Sequence, residues 1–339
     1  MESILVTGGA GYIGSHTVLE LLLAKFNVIV VDNFSNSSRL SLDRVAALSG
    51  SSVTIVEGDL RDQGVLDGIF LNFDILSVIH FAGLKSVGES VSDPISYYEN
   101  NVLATVNLLM AMKCHGVKQI VFSSSATVYG VPVTLPLLEN MALAEQTNPY
   151  GRSKYMIEAM LSDLHKSDGD WSIVILRYFN PVGAHSSGMI GEDSKGIPNN
   201  LMPYITQTAI GKLPEVKIFG NDYDTADGTG VRDYIHVVDL AKGHLAAVNM
   251  CQKNAGLERI NLGTGIGVSV LDLITTFSKV NKVKVPFSVV ERRPGDVAIC
   301  VAGVKKAQEV LGWRATLNLA DMCRDSWNWQ SLNPDGYKN

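Results

Sequence analysis

Long hydrophobic runs, a large excess of one charge and clustered cysteines are all missing from this 339-residue chain. No uninterrupted apolar run approaches the ~20 residues that a membrane helix needs, so no membrane partner is expected. The net charge of −6 offers no basic surface to nucleic acid or anionic lipid, so no nucleic-acid partner is expected either. The 4 cysteines (Cys114, Cys251, Cys300, Cys323) lie far apart and lack C-x-x-C spacing. That excludes a zinc ribbon and a disulfide framework, and makes a reducing cytoplasm the expected location. The histidines His16, His80, His115, His165, His185, His236 and His244 form no H-E-x-x-H pattern, so no metal is expected. Asp222, Asp224 and Asp227 lack the register of a calcium loop and read as a solvated turn. No basic segment precedes Ile4-Leu5-Val6, so a signal peptide is not expected.

What the chain does have is apolar content: 46% hydrophobic residues against 18% charged excludes disorder. Its length leaves room for two domains. Short β-branched runs recur at Ile4–Val6, Val28–Val31, Val53–Val56, Val78–Phe81, Gln119–Phe122 and Ser172–Leu176. They are continuously apolar, as in parallel strands covered on both faces. Amphipathic stretches such as Gly14–Lys25 and Ile95–His115 lie between them. This βαβ rhythm predicts an α/β fold with a doubly wound parallel sheet. After residue 180 the rhythm breaks into glycine-, proline- and asparagine-rich loops, with further apolar blocks at Val237–Cys251 and Val268–Lys279. A second, smaller domain is therefore expected to begin near residue 180.

The first strand runs into Thr7-Gly8-Gly9-Ala10-Gly11-Tyr12-Ile13-Gly14, with Gly8, Gly11 and Gly14 spaced as G-x-x-G-x-x-G. Glycine is required where backbone must approach a pyrophosphate and where a helix packs closely on a strand. The helix start then offers free N–H groups to phosphate. Asp32 stands at the end of the second strand, 18 residues beyond Gly14. A carboxylate there accepts bonds from ribose hydroxyls and repels a 2′-phosphate, which favours NAD over NADP. Taken alone, Asp32 reads equally well as a solvated strand-end charge.

Asn148-Pro149-Tyr150-Gly151-Arg152-Ser153-Lys154 reads as a helix start, with Asn148 as N-cap and Pro149 in the first turn. Tyr150 and Lys154, at i and i+4, then share a face. A nearby ammonium favours a phenolate, which makes Tyr150 a candidate base for an alcohol losing hydride. Upstream, Ser123-Ser124-Ser125-Ala126-Thr127 places hydroxyls at the end of the fifth strand, facing the crevice where such sheets bind ligands.

Together these features resemble the extended short-chain dehydrogenase/reductases, and within them the UDP-glucose (UDP-galactose) 4-epimerases, almost end to end. The resemblance covers Val6–Asn33, Gly58-Asp59, His80–Ser90, Ser123–Gly130, Tyr150–Lys154, Arg177–Gly183, Gly196–Tyr204, Gly228–Leu240 and Asn261–Gly263. It implies a Rossmann-type NAD-binding domain at 1–180, rejoined by 235–262, and a smaller α/β UDP-sugar domain at 181–234 and 263–339. It further implies that Tyr150 is the base, that Lys154 binds the nicotinamide ribose and depresses the tyrosine pKa, and that Ser125 bonds the sugar O4. NAD would also contact Gly8, Gly11, Tyr12, Ile13, Gly14, Asp32, Asn33, Phe34, Ser35, Asn36, Ser37, Asp59, Leu60, Phe81, Ala82, Gly83, Leu84, Lys85, Asn100 and Phe179. The UDP-sugar would be held by Lys85, Tyr178, Asn180, Asn199, Asn200, Leu201, Lys217, Ile218, Phe219, Arg232, Arg293, Asp296 and Cys300. Without the resemblance, Arg232 and Arg293 read as solvated loop charges. The implied reaction oxidises C4 to a keto sugar, turns the sugar over and reduces it again, leaving NAD unchanged. A homodimer through Ile95–His115 and Lys154–Lys166 is also implied.

Cys300 departs from the pattern of members limited to glucose and galactose nucleotides, which resemble one another in carrying a tyrosine there. Its small side chain implies room for an acetamido group, hence activity on UDP-GlcNAc and UDP-GalNAc; it reads otherwise as a small apolar filler. Two alternatives stand beside the epimerase. A nucleotide-sugar 4,6-dehydratase would need carboxylates where this chain has Ala126 and Thr127. A non-catalytic NAD-binding protein would have little use for Tyr150, Lys154 and Ser125 together.

Overall fold

The computed structural model describes residues 2–131, 134–193, 198, 200–253, 256–293 and 295–338. Strands β1 (Ser3–Thr7), β2 (Asn27–Asp32), β3 (Thr54–Glu57), β4 (Ile75–His80), β5 (Gln119–Ser125) and β6 (Ser172–Tyr178) follow the rhythm of the first half. After them come β7 (Asn180–Val182), β8 (Val216–Phe219), β9 (Val231–His236), β10 (Leu257–Leu262), β11 (Gly267–Ser269), β12 (Phe287–Val290) and β13 (Ile299–Cys300). A seven-stranded sheet runs in the order β3-β2-β1-β4-β5-β6-β10, with every pairing parallel. The chain turns back on itself between β1 and β4, which opens a crevice at the carboxyl ends of those strands. This is the doubly wound Rossmann-type order.

The pleat divides the apolar strand residues between two cores. Ile4, Val6, Val28, Val30, Val121, Val174 and Leu176 pack with the helices Tyr12–Leu23, Arg39–Ser49 and Val237–Cys251. Leu5, Ile29, Val31, Val78, Ile120, Phe122, Ile173 and Ile175 pack with Gln63–Asn72, Ala104–Cys114 and Pro149–Ser167. Each such side chain, fully buried, contributes about 1.5–3 kcal/mol, so burial on both faces explains why the runs are continuous. The helix Val237–Cys251 and strand β10 belong to this first assembly, β10 pairing with β6 along its full length. A separate core of Val182, Met202, Ile205, Ile218, Tyr234, Leu273 and Phe277 lies under β7, β8, β9 and the helices Leu201–Ala209 and Val270–Asn281. There β9 pairs with β7, β11 and β13, while β8 pairs with β12.

Two expected elements differ from those observed. The first helix begins at Tyr12 rather than Gly14 and ends at Leu23, with Lys25 in the left-handed region. The expected single stretch Ile95–His115 is instead a short helix Pro94–Tyr97, a π-helical turn Tyr98–Leu103 and the helix Ala104–Cys114. A period of 3.6 cannot register the widened turn, which rotates Asn101 inward; π turns concentrate near functional sites. Among the described residues, no helix is long and apolar enough to cross a membrane, and no cluster of His, Cys, Asp and Glu is placed to hold a metal.

Three histidines sit neutral inside the first assembly. His16 bonds the Tyr12 carbonyl, His80 lies between the hydroxyls of Thr7 and Thr105, and His244 bonds the Leu240 carbonyl. Burial pushes His16 and His80 down to about 3 and His244 down to about 4. The folded values lie below the unfolded value near 6.5, so this stability is fully present above pH ~6.5 and is lost as pH falls toward the folded values. Urea midpoints should therefore fall between pH 7 and 5, with about three protons taken up on unfolding at pH 5. A midpoint that stays level over that interval would contradict the assignment.

Candidate active site

The glycine turn closes tightly. Gly8 has φ +68°, and a Cβ there would stand 2.8 Å from the Ala82 nitrogen. A Cβ on Gly14 would stand 2.4 Å from the Gly8 carbonyl oxygen. Gly11 is the N-cap of the Tyr12–Leu23 helix and supplies no side-chain cap, so the helix start keeps donors for an anion. Ile13 packs against the core. The Tyr12 hydroxyl does not face this cradle: it donates to the Gly183 carbonyl at 2.7 Å and ties the helix to the chain beyond β7.

At the end of β2 the Asp32 carboxylate is buried and satisfied. Oδ2 accepts from the Ala10 N–H at 3.0 Å, and Oδ1 accepts from the Phe34 N–H and the Ser37 hydroxyl. Phe34 takes φ +54°, Ser35 donates its N–H to Asn33 Oδ1, and Asn36 is exposed. Asn33 Nδ2 donates to Asp59 Oδ2 at 2.9 Å. Hydrogen bonds from the Arg61 guanidinium hold Asp59 well below the usual carboxylate range. Leu60 beside it is buried. A glycine cradle, an open helix start and a carboxylate at the next strand end form the donor and acceptor set that NAD requires, so the residues fit that cofactor.

Above β4, Phe81 packs at a tilt of 48° against His244 with ring centroids 4.7 Å apart, and Ala82 donates its N–H to the Thr7 hydroxyl. Gly83 and Leu84 rest on Asn101, whose Oδ1 accepts from the Leu84 N–H at 2.7 Å. Asn101 Nδ2 also donates to the Ser153 hydroxyl, joining this loop to the helix that carries Tyr150. Its neighbour Asn100 donates from Nδ2 to the Ser96 carbonyl at 2.8 Å. Asn101 carries no sequence signal beyond its neighbour's, and only the π turn separates the two. Phe179 is buried between β6 and β7, its N–H donating to the Leu262 carbonyl.

Asn148 caps the Pro149–Ser167 helix, accepting from the Gly151 N–H at 2.9 Å. Lys154 is 5% exposed and donates from Nζ to the Ser123 carbonyl at 2.8 Å. Burial lowers it to about 8, while Glu158 pulls the other way. Burial raises the Tyr150 phenol and the Ser125 hydroxyl draws it back down. Ser125 thus stands beside the candidate base, at the strand end whose preceding carbonyl holds the lysine.

The expected sugar-nucleotide residues form two groups. Arg232 Nη1 donates to the carbonyls of Val231 and Val297, and its Nη2 lies 3.8 Å from Asp296. Arg293 pairs with the same aspartate at 3.0 Å and stacks over Phe219 at 4.5 Å. Cys300 pairs with Arg232 across β13 and β9. Ile218 is buried in β8, where Lys217 points outward. Elsewhere Lys85 and Asn200 both donate to Glu192 Oε1, at 2.9 and 2.8 Å, just ahead of Leu201. Glu192 carries no motif and is found only through the geometry. Tyr178 is buried against His244, Asn180 is exposed in β7, and Asn199 lies outside the described residues.

Residues 5–326 match a family model described as GDP-mannose 4,6 dehydratase. The chain is 56% identical over 336 residues to UDP-glucose 4-epimerase of Bacillus subtilis (strain 168), covering 99% of each. A crystal structure of UDP-glucose 4-epimerase from Bifidobacterium longum in complex with NAD+ and UDP superposes with TM-score 0.95 at 52% identity, covering 99% of this chain and 100% of that one. The UDP-Glc/GlcNAc 4-epimerase of Campylobacter jejuni gives TM-score 0.85 at 35% identity, over 98% of this chain and 100% of that one. The chain belongs to the UDP-glucose 4-epimerase family. The epimerases share their extended short-chain dehydrogenase/reductase scaffold with the dehydratases, which accounts for the family-model match. This epimerase-family chain has Ser125-Ala126-Thr127 at the end of β5, without the carboxylates for eliminating water.

The cradle makes a sharp prediction. Gly14→Ala should cost about 1–3 kcal/mol through backbone overpacking and lower the NAD content of the purified protein. Gly68→Ala, in helix Gln63–Asn72 with open space around it, should leave both intact. Equal cofactor content in the two variants would contradict the close approach.

Proposed function

We propose that the protein is an NAD-dependent UDP-hexose 4-epimerase of the cytoplasm that interconverts UDP-galactose and UDP-glucose through a 4-keto sugar. The observation that carries this reading is the meeting of Ser125, Tyr150 and the Lys154-bearing helix at one strand end, beside a cradle fitted to NAD. When bound, NAD supplies the acceptor that takes the C4 hydrogen and returns it. Tyr150 removes the O4 proton and gives it back, and Ser125 holds O4 in line with it. Burial raises the phenol and the Ser125 hydroxyl opposes that rise, while Lys154, one turn along the helix, is placed to hold the nicotinamide ribose. Arg232 and Arg293 suit the diphosphate, and Asp296, paired with both in this structure, supplies carboxylate oxygens that can accept from ribose. Anchoring the UDP firmly while holding the hexose loosely lets the sugar present either face.

Cys300 extends the substrate range. It is partly buried beside Arg232, and burial pushes its thiol up to about 11, so it acts by its size rather than as a nucleophile. The small side chain leaves space for an acetamido group, and the relative from Campylobacter jejuni is named for both sugars. The unaltered protein should turn over UDP-GalNAc and UDP-GlcNAc as well as UDP-galactose, and Cys300→Tyr should keep only the plain hexoses. Absence of UDP-GlcNAc turnover by the unaltered protein would overturn the extended range; absence of UDP-galactose turnover would overturn the epimerase reading.

A homodimer fits the surface. Ile95, Leu103 and Met110 are exposed along one helical stretch, and Tyr155 and Met156 along the next. Apolar residues grouped on two adjacent helices mark an association face, and a second copy offers the self-complementary partner. Light scattering should give twice the monomer mass at micromolar concentration, and Met110→Glu should shift it to monomer. A monomeric unaltered protein would contradict the dimer.

A further inference from the structure

Glu158 stands one turn beyond Lys154 and two beyond Tyr150 on the Pro149–Ser167 helix, so the three residues share a face. It is 2% exposed, as is Arg177 on β6. Glu158 Oε1 accepts from the Ser124 hydroxyl at 2.5 Å and from Arg177 Nε at 3.0 Å, while Oε2 accepts from Arg177 Nη2 at 2.6 Å. Arg259 approaches the same carboxylate at 3.7 Å. Ser124 and Arg177 are register partners across β5 and β6, so both side chains leave the sheet toward the helix. These are polar groups in positions that the rest of the two strands fills with Ile120, Phe122, Ile173 and Ile175.

A buried ion pair is weak as a source of stability, because desolvation offsets its attraction. Its position suggests a different use. β4 pairs with β5 only as far as Phe122, so Ser123, Ser124 and Ser125 are held on one side alone, by β6. Those three residues carry the carbonyl that receives Lys154 and the hydroxyl beside Tyr150. We propose that Glu158, fixed by Arg177, is a positioning residue that pins the free end of β5 through Ser124 and keeps Ser125 in register with Tyr150 and Lys154. This rests on the epimerase reading and adds to it a support that lies behind the reacting groups.

The test removes the link and leaves the ion pair. Ser124→Ala should lower kcat for UDP-galactose about tenfold, as loss of alignment does, with KM, cofactor content and melting temperature unchanged. Ser124→Cys, which restores the volume without a strong donor, should be equally slow and remains informative if the alanine variant folds poorly. A kcat within about twofold of the unaltered protein in both variants would overturn the proposal. So would recovery by cysteine alone, which assigns the effect to packing, or a fall in kcat that tracks a fall in melting temperature. An unaltered protein inactive on UDP-galactose would instead strike the epimerase reading itself.

Discussion

Lys154 donates to the Ser123 carbonyl from a position closed to water, and this bond couples the helix that carries Tyr150 to the strand that carries Ser125. An ammonium in such a place has no solvent to fall back on, so its neighbours must satisfy it. The carbonyl does so, with the face of Phe122 at 4.9 Å and the charge of Glu158 one turn away. Everything around the pair is arranged to keep it dry and fixed: Ile157 and Leu161 on the helix, and Ile120 and Ile175 on the sheet, fill the space behind it. Tyr150, Lys154 and Ser125 are therefore set by packing before any ligand arrives, as preorganised electrostatics requires.

The same carboxyl end of the sheet serves the cofactor. Because β1 and β4 lie side by side, the Gly8 turn rests against Ala82, and one hydroxyl, that of Thr7, joins His80 to the Ala82 N–H. Asn101 carries the connection onward from Gly83 and Leu84 to Ser153. A chain of satisfied polar groups thus runs from the glycine cradle to the helix that carries Tyr150. Such a chain is costly if a member is lost, and it fixes a single arrangement while it is complete. Tyr12 also reaches Gly183, and Glu192 gathers Lys85 and Asn200, so the loops beyond β7 are tied directly to those that follow β1 and β4.

Much of this was legible in the sequence where local rules act alone. Five of the six apolar runs became strands because burial on both faces demands continuous apolar residues; β3, at the end of the sheet, is only partly covered. Asn148 caps its helix because its side chain can satisfy the Gly151 N–H without tertiary help. The requirement for Gly14 is steric and local, since a Cβ there would meet the Gly8 carbonyl oxygen, whereas Gly8 is pressed by Ala82 from just beyond the distant strand β4. Legibility ended where a partner had to be known. Glu158 is one more acid on a helix until β5 brings Ser124 and β6 brings Arg177 to it. Glu192 is a loop charge until Lys85 folds over it. The inward placement of Asn101 rests on a π turn that no periodicity reports. The bond from the Tyr12 hydroxyl to Gly183 joins residues more than 170 positions apart, which no local pattern shows.

The central claim is that the C4 carbon–hydrogen bond is broken and remade on the same sugar inside one site closed to water. UDP-galactose carrying deuterium at C4, converted in ordinary water, tests it directly. The account predicts UDP-glucose that retains the deuterium at C4, with none released to solvent. Label lost to water, with protium at C4 of the product, would contradict it.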